Sequence, residues 1–353
     1  MPDRYDHIFI GSSPHHLLNA MALEAQGKRV LVIEEKDQVG GAWSTVTLDE
    51  LGEVEIGCHI WDYSPAVYDF FEEFLEMKLE TLSPHPNILY GKKRYRYERK
   101  NNILYFTSKL RNIKRGKISA AMKLRDKKYP FTFKQYTYKY PKGGAHEFIE
   151  KLQNKVNATS LHLQQRCICT GLVVNPEHIE VKTENGSYTC DEVHIASFSP
   201  VPISINGEET VPETSAFQFT HVHMLVEGID TLDLSYTRLY RDPIIHRISD
   251  VSSQLELSGR HLILAGIYPS SFDHHTEKEI CEYVLERMKS LRLLVGNPVL
   301  KRFWFNTYHG TLLQGAAAES VRKLHPNIHH QRTINFTLDL EEQIPYLRKH
   351  LMR

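Results

Sequence analysis

The sequence predicts an α/β protein in two parts: a parallel sheet opened by a βαβ unit, and a second, mixed α+β domain. Two observations lead there. One is a strand–turn–helix–turn–strand run in the first 34 residues, the size of a single crossover unit. The other is a return to strand-rich sequence, first over 161–195 and again over 217–265, followed by a helix over 277–293. At 353 residues, the chain is also too long for one small core.

Residues 5–10 form a short apolar run that stops at Gly11. Apolar residues then recur at helical spacing (Leu17, Leu18, Met21, Ala22, Ala25) until Gly27, a residue suited to a helix C-terminus. Val30 to Ile33 is apolar throughout, as a strand covered on both faces should be. Val67 to Met77 carries an apolar stripe of one helix face. The turn Pro141–Gly144 leads into another helix over 145–156, and Asn185-Gly186 marks a hairpin between short strands.

The first strand–helix turn reads Gly11-Ser12-Ser13-Pro14-His15-His16. A helix starting near Pro14 aims its free N–H groups and positive dipole end at an anion such as a diphosphate. Against the dinucleotide-binding pattern Gly-x-Gly-x-x-Gly, Ser13 replaces the second glycine and His16 the third. Glu34 closes the second strand 23 positions after Gly11, close to the ~20 expected of an acid that accepts ribose hydroxyls. After five intervening residues comes the doublet Gly40-Gly41, followed by Ala42 and Trp43.

This acid-then-doublet arrangement resembles the extended FAD fingerprint of the glutathione-reductase-like flavoproteins. More closely, it resembles the branch holding amine oxidases, protoporphyrinogen oxidase and UDP-galactopyranose mutase. Val54–Trp61, with Gly57-x-His59, is similar to a strand near the flavin in mutase-like members. Tyr140-Pro141-Lys142-Gly143-Gly144 and Asp191–Ala196 resemble two further segments of that branch. The resemblance implies a Rossmann-type FAD-binding domain built from 1–65, 140–200 and 310–353, and a substrate or cap domain from 66–139 and 201–309. It implies FAD contacts from Gly11, Ser13, Pro14, Glu34, Glu35, Gly40, Gly41, Ala42 and Trp43, and from Cys167, which stands where the family has an adenine-contacting valine. The family's late Gly-Asp pair is missing; Asp339, capping a final helix, is its candidate equivalent. Near the flavin, His59 and Tyr308 are the catalytic candidates, and Arg241 and Arg247 are candidates to clamp an anionic substrate.

Between 92 and 142 stand eighteen Lys or Arg against Glu98 and Asp126, although the whole chain has no net charge. Such a block attracts anions. It has three readings: recruitment of a phosphorylated or nucleotide-linked small-molecule substrate, peripheral contact with an anionic membrane, or a solvated face. Nucleic acid is disfavoured because no binding module accompanies the block. No His or Cys spacing suggests a metal site, and the oligomeric state is not legible. With no signal-peptide pattern and five cysteines of no disulfide-scaffold density, the expectation is a cytoplasmic protein with free thiols. Together these features predict an FAD-dependent oxidoreductase of amine-oxidase type. The alternatives are a mutase-like flavoenzyme acting on a nucleotide sugar and a non-catalytic flavin-binding protein.

Overall fold

The computed structural model describes residues 3–49, 51–57, 59, 61–81, 87–90, 93–95, 138–196, 201–210, 214–232, 234, 236–240, 242–255, 257–313, 325–331 and 336–352. Most of the basic block therefore lies outside the described residues.

The first sheet grows from the predicted crossover. Strand β1 (Arg4–Ile10) runs into helix α1 (Pro14–Glu24), which returns to β2 (Val30–Ile33). The two strands pair in parallel, Ile8 beside Leu31 and Ile10 beside Ile33. β9 (His162–Gln164) extends the sheet beyond β2. On the other side of β1 lies β12 (Gly186–Ala196), also parallel, and β20 (Ile328–Gln331) pairs in parallel with β12. β10 (Cys169–Val174), β11 (Ile179–Thr183), β13 (Ile203–Ile205) and β14 (Glu208–Thr210) complete it, giving nine strands among the described residues. The expected Asn185-Gly186 turn joins β11 to β12, with Gly186 at φ +135°. The sheet runs on to Thr210, past the division at 200 expected from the sequence.

One face of this sheet is covered by helices. α1 packs there with α2 (Pro65–Phe74), α3 (Gly144–Asn157), α5 (Phe336–Glu341) and α6 (Ile344–Leu351), burying Phe9, Leu17, Val32, Phe71, Phe148, Leu340 and Leu347 in one cluster. Helix α2 thus joins the first domain's core, although the sequence division placed it with the second. Trp61, Phe70, Phe71 and Phe148 are fully enclosed. Each such ring contributes roughly 1.5–3 kcal/mol by leaving water. The opposite face packs Ile8, Leu31 and Val193 against residues of β10, β11 and β13.

The second sheet is a separate, largely antiparallel layer. β15 (Thr214–Leu232) and β19 (Leu294–Leu313) form a long ribbon, flanked by β18 (His261–Ile267), β17 (Ile245–Asp250), β16 (Tyr236–Tyr240), β6 (Asn87–Tyr90) and β7 (Lys93–Tyr95). Helix α4 (Glu277–Ser290) covers it through Ile280, Val284 and Met288. α4 opens with a reciprocal capping box between Thr276 and Glu279.

Two small pairings stand outside these sheets. β5 (Leu79–Thr81) pairs with β8 (Lys139–Pro141), and Leu79 and Tyr140 join the helix-covered core of the first sheet. The hairpin of β3 (Thr45–Leu48) and β4 (Gly52–Glu55) follows the glycine doublet directly, yet its Leu48 and Val54 pack with Leu225, Tyr236 and Leu264 of the second sheet. Trp304 seals this contact by donating its indole N–H to Asp49 at 2.8 Å.

Candidate dinucleotide site and the cleft beside it

The turn after β1 is built to bring three loops together. Gly11, at φ +88°, donates its N–H to the Ile33 carbonyl and so locks the ends of β1 and β2 side by side. Ser13 is the N-cap of α1, its hydroxyl accepting from the His16 N–H at 3.3 Å, and Pro14 occupies the first turn, where its missing N–H costs nothing. No acid lies in that first turn, so the positive end of the helix keeps its attraction for an anion.

Glu34 is buried rather than exposed. One carboxylate oxygen accepts from the Ser12 N–H at 2.9 Å and the Ser12 hydroxyl at 2.6 Å; the other accepts from the Lys36 N–H at 3.0 Å. A carboxylate offers about four lone-pair positions, so the second oxygen retains one for an outside donor. Glu35, by contrast, points to solvent.

The glycine doublet faces this turn. Gly40 donates to the Ser12 carbonyl at 3.0 Å. Gly40 and Gly41 have φ of +110° and +58°. A Cβ on Gly40 would strike the Ile149 side chain at 2.7 Å; one on Gly41 would lie 3.8 Å from the Ser13 Cα, filling the space between the two loops. Both positions are therefore glycine for conformation, and the first also for room, since only there would a Cβ collide.

His16, standing where the third glycine was expected, does not occupy this space. Its Nδ1 lies 2.7 Å from the Gly11 carbonyl and its ring meets Phe9 edge-on at 5.1 Å, so it fills the seam between α1 and β1. Burial lowers its pKa to about 4, leaving a neutral ring whose Nδ1–H donates to that carbonyl. Cys167 is buried beside Glu34, its N–H donating to the Glu34 carbonyl at 3.0 Å.

Beyond the doublet the chain makes a single 3-10 turn, Gly41–Trp43. Trp43 stacks on His59 at 4.5 Å, and the His59 Nε2 lies 3.1 Å from the Ala42 carbonyl. From the second sheet, His221 comes up against Gly57, and its ring lies 6.2 Å from that of His246. Arg247 donates to His246 at 3.2 Å. Burial first and the Arg247 charge second hold His59 near 4, His221 near 2 and His246 near 3, so three neutral imidazoles and one cation share this end of the cleft.

A cavity of about 180 Å³ opens next to His59, lined also by Glu55, Tyr140, Tyr236, Asp250 and Gln254. The Glu55 carboxylate is enclosed, accepting from the Tyr140 hydroxyl at 2.9 Å and the Ala145 N–H at 3.1 Å. Burial raises its pKa to about 7 against the opposing pull of those bonds. The Tyr140–Gly144 motif thus anchors the start of α3 to β4 through a residue that sequence reasoning did not single out.

Of the remaining expected site residues, Tyr308 lies at the Glu34 end, with the Lys36 ammonium 4.7 Å above its ring, and not among the histidines. Asp339 sits in the first turn of α5 rather than at a cap, and the final helix α6 has Gln343 at its N-cap with no side-chain bond. The residues of α5 that reach the site are Phe336, whose ring meets His15 at 5.1 Å and Trp43 at 4.9 Å, and Thr337, whose hydroxyl accepts from the Asp62 N–H. Neither carried a motif in the sequence. Arg241 lies outside the described residues. The four described cysteines, Cys167, Cys169, Cys190 and Cys281, are free thiols, and no described helix is long and apolar enough to cross a membrane.

Residues 10–74 match the NAD(P)-binding Rossmann-like domain family. No curated protein matches the chain by sequence. Among solved structures, cyclohexylamine oxidase from Brevibacterium oxydans is similar with a TM-score of 0.64 at 12% identity, covering 99% of this chain and 98% of its own. A double mutant of putrescine oxidase, from a redesign of its cofactor binding, gives 0.63 at 15% identity over 99% and 100%. An oxidoreductase from Methanosarcina mazei gives 0.57 at 12% over 86% and 88%. The chain has the two-domain, Rossmann-type fold of these amine oxidases.

Proposed function

We propose that this protein is an FAD-dependent oxidoreductase of the amine-oxidase type, acting on a small organic substrate that carries an anionic group. The observation that carries the reading is the gap between Ser13 and Gly41, which lies at the positive end of α1 and beside the buried carboxylate of Glu34. A diphosphate suits the side-chain-free surface over that junction by charge and by access to the backbone, and the spare lone pair of Glu34 suits a ribose hydroxyl.

When bound, FAD would supply the redox chemistry, taking a hydride from a C–H bond while the adjacent C–N or C–C bond becomes double and the neighbouring atom gives up a proton. The chain supplies position and polarity. Glu34, Cys167 and the Lys36–Tyr308 pair enclose the nucleoside end. Trp43, His59, His221 and His246 wall the far end with apolar and neutral surfaces that exclude water. Held uncharged, these imidazoles accept or donate single hydrogen bonds without repelling a cationic substrate, while Arg247 supplies the one charge suited to a carboxylate or phosphate. The cavity beside His59 is the room for the substrate, and Glu55, its pKa raised by burial to about 7, is a group there able to change charge near neutral pH.

An absorption spectrum of the purified protein tests the cofactor reading: flavin bands are expected, and a colourless chain that takes up no FAD would point to the non-catalytic alternative. Gly41→Asp should abolish flavin occupancy while leaving the far-UV circular dichroism unchanged, because it places a side chain and a negative charge in the gap. Thermal shifts with amines, sugar nucleotides and isoprenoids then select the substrate class. The Gly57-x-His59 strand and Arg247 favour a second reading, mutase-like use of reduced flavin on a nucleotide sugar. It predicts turnover only after reduction by dithionite or NAD(P)H.

A further inference from the structure

On the α1 side of the first sheet, away from the glycine turns, side chains from three parallel strands meet. The β1–β12 register sets His7 opposite Glu192 and Phe9 opposite His194, and the β12–β20 register sets His194 opposite His329. The His7 Nδ1 and His194 Nε2 are 3.3 Å apart, the His7 Nδ1 and Glu192 Oε2 are 3.8 Å apart, and all three ligand atoms lie within 4.8 Å of one another.

Zinc bound tetrahedrally at about 2.0–2.1 Å keeps its donors roughly 3.3 Å apart. The two distances from His7, 3.3 and 3.8 Å, stand within about half an ångström of that, and the third, no more than 4.8 Å, closes by rotation of the half-exposed Glu192 carboxylate. The supporting contacts are also in place. The His194 ring is held between Phe9, stacked at 4.2 Å, and His329, stacked at 4.7 Å. The His329 Nε2 lies 2.8 Å from Glu192 Oε2 and fixes the carboxylate, the role that outer partners play for ligating groups. The Glu192 and His329 side chains are 40% and 44% exposed, which leaves a path from solvent and room for water in a fourth position.

We propose that His7, Glu192 and His194 form a zinc site, with His329 positioning the carboxylate. The two nitrogens and one oxygen suit zinc over calcium or magnesium, which prefer all-oxygen shells. The ion would fasten β1 to β12, residues 187 apart in sequence, behind the cofactor edge. Its presence is independent of the flavin reading.

Isothermal titration of the full-length chain, stripped with a chelator and titrated with Zn²⁺, tests this. One equivalent should bind to the wild type. Glu192→Gln, a partly exposed change whose folding is checked by circular dichroism, should weaken binding at least about a hundredfold. His329→Ala should weaken it about 10–100-fold. His178→Gln, on the neighbouring β-meander, should leave it unchanged. X-ray absorption at the zinc edge should show a nitrogen and oxygen shell with imidazole scattering. Absence of stoichiometric uptake by the wild type, or equal affinity in Glu192→Gln, would overturn the proposal.

Discussion

Glu55 shows what a single enclosed carboxyl does in this molecule. Its folded pKa lies near 7, above the ordinary value of 4.5. Between those values the native state holds a proton that the unfolded chain has released, so stability falls as pH rises through the window and stays lower above it. The cost of ionising it there is about 3 kcal/mol at most. Glu55→Gln keeps an oxygen for Tyr140 and Ala145 and removes the charge. Its melting temperature relative to wild type should therefore rise between pH 5 and pH 8; a pH-independent difference would refute this. Glu55 was hidden in the sequence because it alternates with apolar neighbours in a strand, and only the fold closes Tyr140 and α3 over it. The place of Glu34 beside the first turn, by contrast, was legible, since it closes a strand at a set distance from Gly11. His16 was legible as a departure but not in its consequence, because the direction of its ring depends on the space between α1 and Phe9.

At the scale of elements, the crossover β1–α1–β2, helices α2, α3 and α4 and the 185–186 hairpin were written in local periodicity and turn chemistry, and they form within a few residues of expectation. Pairings between distant segments were not. Nothing local says that β20 joins β12 or that β6 lies beside β16. The histidines of β1, β12 and β20 failed every spacing test for a metal because their proximity is set by strand register, not by helical repeat. The end of the chain was misjudged for a related reason: a short helix, α5, interrupts what looked like one, so Asp339 is inside an element instead of capping it. Where a cap is present its worth can be measured. Thr276→Ala removes the hydroxyl that accepts from Glu279 and that completes the α4 capping box, and should cost about 1 kcal/mol in urea unfolding.

Among the described residues, burial lowers the pKa of seven histidines, His15, His16, His59, His194, His221, His223 and His246, to about 4 or below. The unfolded chain takes up those protons below about pH 6.5 while the native state does not, so stability drops as pH falls through this range. Glu55 and Asp250, whose pKa values burial raises, act in the opposite sense but are two groups against seven. Urea midpoints should therefore decline steeply from pH 7 to pH 5, and a flat profile would show that the imidazoles are hydrated in solution. The hairpin of β3 and β4 has a consequence at this same scale. It leaves the Gly40–Gly41 doublet and, within a dozen residues, is wedged among the side chains of the opposite layer. A clamshell motion of the two sheets would have to tear that wedge loose and drag the glycine turn with it.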